Sequence, residues 1–361
     1  MLNKMKKIIV VVLILTLAFS ANVFAVDTSI ILETSEYVAY SNFSTYVENV
    51  LKLDNKINSS KSLYNIDDEI IGYCFLLSSQ SYAITDLNGT IIEAHFEPNN
   101  TYDILNDNFN KKIYYGGPFN YYVKSETDFI NIATDTIVDC NQAIHNIESF
   151  QSFSISNKLA QSINMASVRS ITMRFDLDHS LKTISYNPGG VHCASTAAAI
   201  VLHYLDDYKN SNIIPDELDD STGIKMVDHL IPFIHCTPSV GFVTVNEIRK
   251  GVNNYFISRN MGNYMVATDG FYPDTSTSYP ISTFFTSLRQ IIEMDYPIII
   301  IFSDTSGQGK HFYVIHGLLQ DVSGGQYYAY VNNGLGSNNV MLNLNYAVNV
   351  AVIYDINSLD S

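Results

Sequence analysis

The sequence predicts an α+β protein in two parts, and three observations carry that prediction. Residues 26 to about 135 alternate short aromatic or β-branched runs with turn residues and carry one amphipathic helix, the pattern of a small antiparallel sheet with a helix on it. Beyond Ser170 helical segments come first and strand segments follow, the signature of a fold whose helices and strands are segregated. Between the two, "DCNQAIHNIESFQSFSISNKLAQSINMASVRS" is rich in Ser, Asn and Gln and weakly periodic. It reads as a mixture of helix and linker, a natural place for a domain boundary and for proteolytic nicking. The expected division is 1–25, 26–138, 139–170 and 171–361.

The first segment, "MLNKMKKIIVVVLILTLAFSANVFA", places three lysines before an apolar run from Ile8 to Phe19, with Val23 and Ala25 as small residues of a cleavage site. That is the layout of a secretory signal peptide, and the run is short for a membrane span. The expected location is therefore extracellular or in the cell envelope, with no membrane association once the leader is removed. A formal charge of −16 without any basic cluster argues against nucleic-acid binding. The 25 tyrosines and absent tryptophan fit sheet-rich, half-wet surfaces.

In chain order, Tyr40, Phe43, Tyr46, Val47, Val50 and Leu51 mark one face of a helix. "EIIGYCFLLSSQSYAITDLNGTIIEAHF" then gives three strands, split by "SSQ" and by the turn pair Asn88-Gly89. "KKIYYGGPFNYYVKS" adds an aromatic strand pair around Gly116-Gly117-Pro118. In the second part, Ala197, Ile200, Val201, Tyr204, Leu205 and Tyr208 define a helix that starts at Cys193. Further helices are expected around Lys225–Ile234, Val245–Tyr255 and Ile281–Met294. The strands "IIIIF", "KHFYVIHGLL", "GQYYAYVNNG" and "AVNVAVIYDI" close the chain.

Cys74, Cys140, Cys193 and Cys236 are scattered and form no CxxC pair, so neither a zinc knuckle nor a thioredoxin-type motif is present. An even count in an exported protein admits two disulfides, which would make Cys193 structural. The other reading follows from its position. A cysteine at a helix N-terminus meets about half a positive charge from the aligned peptide dipoles, which favours thiolate, and the free N–H groups there can hold an oxyanion.

A thiolate needs a proton carrier, and nine histidines compete for that role. His192 is adjacent in sequence, and its side chain diverges from that of Cys193. His203, His229 and His235 lie in the helical region, and His95, His145 and His179 precede the cysteine or sit at its edge. His311 and His316 remain, both on "KHFYVIHGLL". On a regular strand residues five apart face opposite ways, which excludes a shared metal site and leaves at most one of them facing Cys193. His311, at the strand start, is the better placed. Asn332, at the end of "YAYVN", would orient the imidazole if its strand pairs with that of His311, although an Asn in a strand-to-Gly turn is more often a turn residue.

Together, "YNPGGVHCASTAAAIVLHYL", "GKHFYVIHGLL" and "YAYVNNGLGSNNVMLNL" resemble the papain-like cysteine peptidases of the streptopain and C39-like group, over roughly Ile184 to Ile356. The resemblance implies a papain-like fold with a helical half and an antiparallel sheet half, Cys193 as nucleophile, His311 as general base and acid, and Asn332 as the orienting residue. It also implies an amide in the oxyanion hole, for which Asn187 is the candidate, an Asn where the family has Gln. No metal or organic cofactor is implied. "YCFLLSSQSYAITDLNGTIIEA" and "IYYGGPFNYY" are similar to the propeptides of such enzymes, which implies a precursor blocked by its own N-terminal domain; a permanent adhesion or partner-binding domain is the alternative. Two departures stand out. Asn333 and Leu335 replace the tryptophans that shield the His–Asn hydrogen bond, and "HCAST" lacks the Cys-Gly-Pro of C39 members. The expected function is a secreted cysteine peptidase acting on a peptide or protein. A non-catalytic exported binding protein with the same shell, or an amidase or cell-wall hydrolase with the same residues, are the alternatives.

Overall fold

The computed structural model describes residues 34–158, 172–186, 192–235, 243–262, 265–270, 281–303, 309–322, 325–346 and 349–355. The expected leader at 1–25 and the 159–170 part of the expected linker lie outside the described residues.

The first helix, α1 (Thr34–Tyr46), runs into one wider turn at Val47–Leu51. Its buried face is Ala39, Phe43, Tyr46 and Val47, and Phe43 stacks on Phe75 with ring centroids 5.0 Å apart. Strands β1 (Ile57–Tyr64), β2 (Ile70–Leu77), β3 (Ser81–Asp86) and β4 (Ile91–His95) form an antiparallel meander. The β3–β4 turn holds Gly89 at φ +82, a conformation that Gly adopts without strain. A short helix, α2 (Asn100–Asp107), follows and is capped by Asn99, whose side chain accepts from the Tyr102 N–H. Then come β5 (Ile113–Tyr115), β6 (Tyr121–Lys124), β7 (Phe129–Asn131), β8 (Thr136–Val138) and helix α3 (Cys140–Lys158). Helix α3 therefore occupies most of the stretch read as helix and linker.

The second part contains β9 (Thr172–Asp176), α4 (Cys193–Tyr208), α5 (Ile224–Ile234), α6 (Val245–Ser258) and β10 (Met265–Gly270). Helix α7 (Ile281–Glu293) leads to β11 (Ile298–Ser303), β12 (Gly309–Asp321), β13 (Gln326–Asn332), β14 (Val340–Asn343) and β15 (Asn349–Asp355). The protein is thus a mixed α+β chain with a large, mostly antiparallel sheet and seven α-helices among the described residues.

All fifteen strands belong to one sheet, ordered β10-β15-β11-β12-β13-β14-β4-β3-β2-β1-β5-β6-β7-β8, with β9 pairing β12 off this path. The two parts of the chain meet inside it at β14 and β4, where Met341 lies opposite Ala94 and Leu342 opposite Glu93. One apolar core crosses that joint, since Leu76, Ile84 and Phe119 pack in the same cluster as Ile200, Leu202, Tyr313 and Ile315. Helix α4 is buried continuously from Ala194 to Leu205. Its alanines let it lie close on β12, and each fully buried Ile, Val or Leu adds about 1.5–3 kcal/mol.

Candidate active site

Cys193 is the first residue of α4, partly buried and not in a disulfide. Cys74 and Cys140 are not in disulfides either, while Cys236 lies outside the described residues. His192, which precedes the helix, gives it no side-chain cap. Instead Thr196 bonds back to the His192 carbonyl through both its N–H and its hydroxyl, each at 2.9 Å, and this closes the first turn.

Strand β12 carries His311 as its third residue, buried to 9% exposure. On one side its neighbour is Phe302 of β11. On the other side β13 stops at Asn332, opposite Val314, before it reaches the level of His311. The chain turns there through Gly334 (φ +67) and Gly336 (φ +89) and folds back over the strand end. This turn delivers the Asn333 carbonyl to His311 Nε2 at 2.7 Å. A carbonyl only accepts, so Nε2 carries the proton and Nδ1 keeps the lone pair of the neutral ring.

The same turn reaches the cysteine side. Leu335 bridges Ser185, the Tyr186 N–H points at the Gly334 carbonyl, and the Gly334 Cα side faces Thr196 so closely that a Cβ there would lie 3.2 Å from its methyl group. Segment 333–337 thereby ties the approach to Cys193, the first turn of α4 and His311 into one unit. The Tyr313 hydroxyl, on the same strand face as His311, is raised well above the ordinary phenol range by burial, by Glu93 and by the Cys193 sulfur, so the thiol lies within electrostatic reach of that face.

Asn332 departs from the role expected of it. Its side chain is fully buried, but its Nδ2 donates to the Lys182 carbonyl (3.3 Å) and to Asn338 (2.5 Å), and its Oδ1 accepts from the Gly334 N–H (2.8 Å). Both ends of the amide are engaged in holding the 182–186 approach and the turn, and the imidazole is held by the next residue's backbone. The physical reason is that β13 ends at Asn332, so only the chain beyond it reaches His311. Asn187, the expected oxyanion-hole amide, lies outside the described residues.

What covers His311 comes from the other part of the chain. The loop between β5 and β6 places Phe119 against the imidazole, with ring centroids 5.9 Å apart, and against Tyr313 at 5.8 Å. Phe119 is 3% exposed and sits at φ +57, a left-handed conformation costing a non-glycine residue roughly 1–2 kcal/mol. The loop is held by Tyr313 Oη donating to the Pro118 carbonyl (3.1 Å) and by Asn131 Nδ2 donating to the Phe119 carbonyl (3.3 Å). Burial lowers the His311 pKa from 6.5 to about 4, and the Asn333 carbonyl opposes this only in part. His311 is therefore neutral at physiological pH in this arrangement.

The other histidines are otherwise engaged. His203 is buried against Lys182 and Asp219, and His179 stacks on Tyr208 at 4.0 Å. His316 sits at a bulge in β12 between Ile315 and Gly317, so strict alternation does not hold along this strand. Among the described residues no group of three His, Cys, Asp or Glu side chains gathers to hold a metal ion. Sequence reading missed Phe119, which looked like part of a hairpin turn, and the Asn333 carbonyl, a backbone group that leaves no mark in the sequence. A scan of protein-family models finds no match to this chain, and a search of curated proteins finds none.

Proposed function

We propose that the chain is an exported cysteine hydrolase, in the first instance a peptidase on a papain-like fold, held inactive by its own N-terminal half. The observation that carries this reading is His311: it lies on the strand packed against the Cys193 helix, with Nε2 committed to a carbonyl, Nδ1 left basic, and the ring covered by Phe119 from the other half.

In the proposed reaction, withdrawal of the Phe119 loop lets water reach His311 and restores its pKa toward 6.5. Nδ1 then takes the proton of Cys193, and the thiolate, favoured by the α4 N-terminus, attacks the substrate carbonyl. The Cys193 backbone N–H, with Asn187 as the expected second donor, holds the oxyanion. The imidazolium returns its proton to the leaving amine, and water activated by His311 releases the acyl group. The Asn333 carbonyl keeps the ring in one tautomer throughout. The chemistry serves an amide of another kind equally well, so a cell-wall amidase differs from a peptidase only in substrate.

The test is hydrolysis of unstructured protein and of cell-wall peptide amides by the chain and by its Phe119→Ala variant, each beside a Cys193→Ala partner. Hydrolysis that depends on Cys193 and increases in Phe119→Ala supports the reading. No Cys193-dependent turnover in any form, with Cys193 alkylated no faster than Cys140, leaves a non-catalytic binding shell in its place.

A further inference from the structure

Glu93 lies on β4 at the β4–β14 pairing, the register partner of Leu342, and is fully buried. Its Oε1 accepts from Tyr82 Oη at 2.5 Å and from Tyr121 Oη at 2.6 Å. Its Oε2 has no hydrogen-bond partner among the described residues, although the Phe119 N–H lies near enough to favour the charged form. The other titratable groups facing it are Tyr313 from β12 and Cys74 from β2, and both are pushed upward by its charge; Lys61 of β1 acts on Cys74. Among the described residues, no cation is one of the groups acting on Glu93. The same joint is held by Asn343 Nδ2 donating to the Ile91 carbonyl (2.9 Å) and by His95 Nε2 bonded to the Asn338 carbonyl (2.6 Å).

Full burial makes the anion costly, and this outweighs the two tyrosine hydroxyls and the Phe119 N–H, which favour the charged form. Ionisation therefore strains the joint, and the joint and the Phe119 loop share this side chain. We propose that Glu93 is a proton-operated latch: with its carboxyl neutral, the β4–β14 joint stays closed and Phe119 stays on His311, and loss of the proton loosens both. The effect on Cys193 rests on the function proposed above; the effect on the joint does not.

The sign follows from linkage. Burial raises the Glu93 pKa from 4.5 to about 7 in the closed form, so its contribution to closure is complete below pH 4.5 and is lost as pH rises through about 7. If opening exposes the carboxyl fully, the closed-to-open ratio falls roughly 300-fold across that window.

Hydrogen exchange of the whole chain from pH 5 to 8, corrected for intrinsic rates, tests this. Exchange in 91–95 and 340–343 is expected to quicken with pH more than in 298–301, and Glu93→Gln is expected to remove the difference. Cys193→Ala is expected to repeat the wild-type profile, because no catalysis is involved. An equal pH response in both regions of the wild-type chain overturns the latch, and that comparison stands even if Glu93→Gln does not fold. A response that persists unchanged in Glu93→Gln overturns it too. Alkylation of Cys193 at pH 8 is expected to run about tenfold faster in the wild type than in Glu93→Gln. A joint that opens without that difference overturns the link to the site and, with it, the blockade by Phe119.

Discussion

Strand β12 carries two histidines, one near its start and one in mid-strand, that differ in burial and in bonding. Near the start, His311 has Nε2 satisfied by the Asn333 carbonyl and is covered by Phe119. In mid-strand, His316 sits at the bulge beside Asp176 and Arg174, where β9 pairs with β12, and its Nε2 has no hydrogen-bond partner among the described residues. Burial lowers both to a pKa of about 4. Burial alone therefore does not distinguish a base from a packed ring. What distinguishes them is that one tautomer is fixed on His311, and that its cover comes from a loop of the other half of the chain, whereas the β9 strand beside His316 is integral to the sheet.

The widest separation between the two histidines is expected in activity. On the proposed reading, His311→Ala removes the proton carrier and lowers Cys193-dependent hydrolysis by about 10²–10⁴-fold, whereas His316→Ala stays within roughly threefold once the loss of folded protein is counted. Steady-state rates per folded molecule decide this, and equal losses in the two variants would break the contrast. Next in size is the effect of the cover. Phe119→Ala is expected to speed alkylation of Cys193 about 10–100-fold at pH 7.5, as the imidazole is rehydrated. Cys74, buried and with its thiol pushed up to about 12, is the internal control, because its labelling reports unfolding.

The comparison also shows what a sequence can disclose. Helix α4, the β2–β4 meander and β11 to β13 were legible because their apolar residues recur with the right period and are bounded by turn residues. Strands β1 and β9 were not: "INSSKSLY" and "TMRFD" are polar or exposed and owe their form to the neighbours they pair with. The positions of Cys193 at a helix start and of His311 near a strand start were legible from the pattern around them. The holder of the imidazole was not, since it is a carbonyl positioned by where β13 happens to end. Phe119 and Glu93 gain their meaning from a pairing between residues some 250 positions apart, and no local pattern foretells that Leu342 will lie opposite Glu93.

Asn332 offers a sharper version of the contrast, because its two possible roles move different measurements. As the tie for Lys182, Asn338 and Gly334, its replacement by Ala leaves a buried carbonyl and N–H unpaired, at a cost of about 2–3 kcal/mol in unfolding free energy. The pH profile of Cys193 alkylation is expected to keep its midpoint, because the His311 proton is set by Asn333. A stable Asn332→Ala protein with a displaced midpoint would return the orienting role to the side chain.

The smallest expected effect lies at His316 and concerns acid stability. An unfolded histidine titrates near 6.5 and His316 in the folded chain near 4, so the folded state binds fewer protons between those values. The stability this confers is complete above pH 6.5 and is lost as pH falls toward 4. The ring is only partly buried, so solvent screening reduces the full linkage value to about 2 kcal/mol. His316→Gln removes that titration, and denaturant midpoints measured from pH 7 to 4 are expected to fall less steeply in the variant. His311→Gln is expected to flatten the same slope more strongly, because that ring is more deeply buried. If instead His316→Gln flattens it more, the bulge in β12 is the tighter of the two surroundings, and the ranking of the two histidines is reversed.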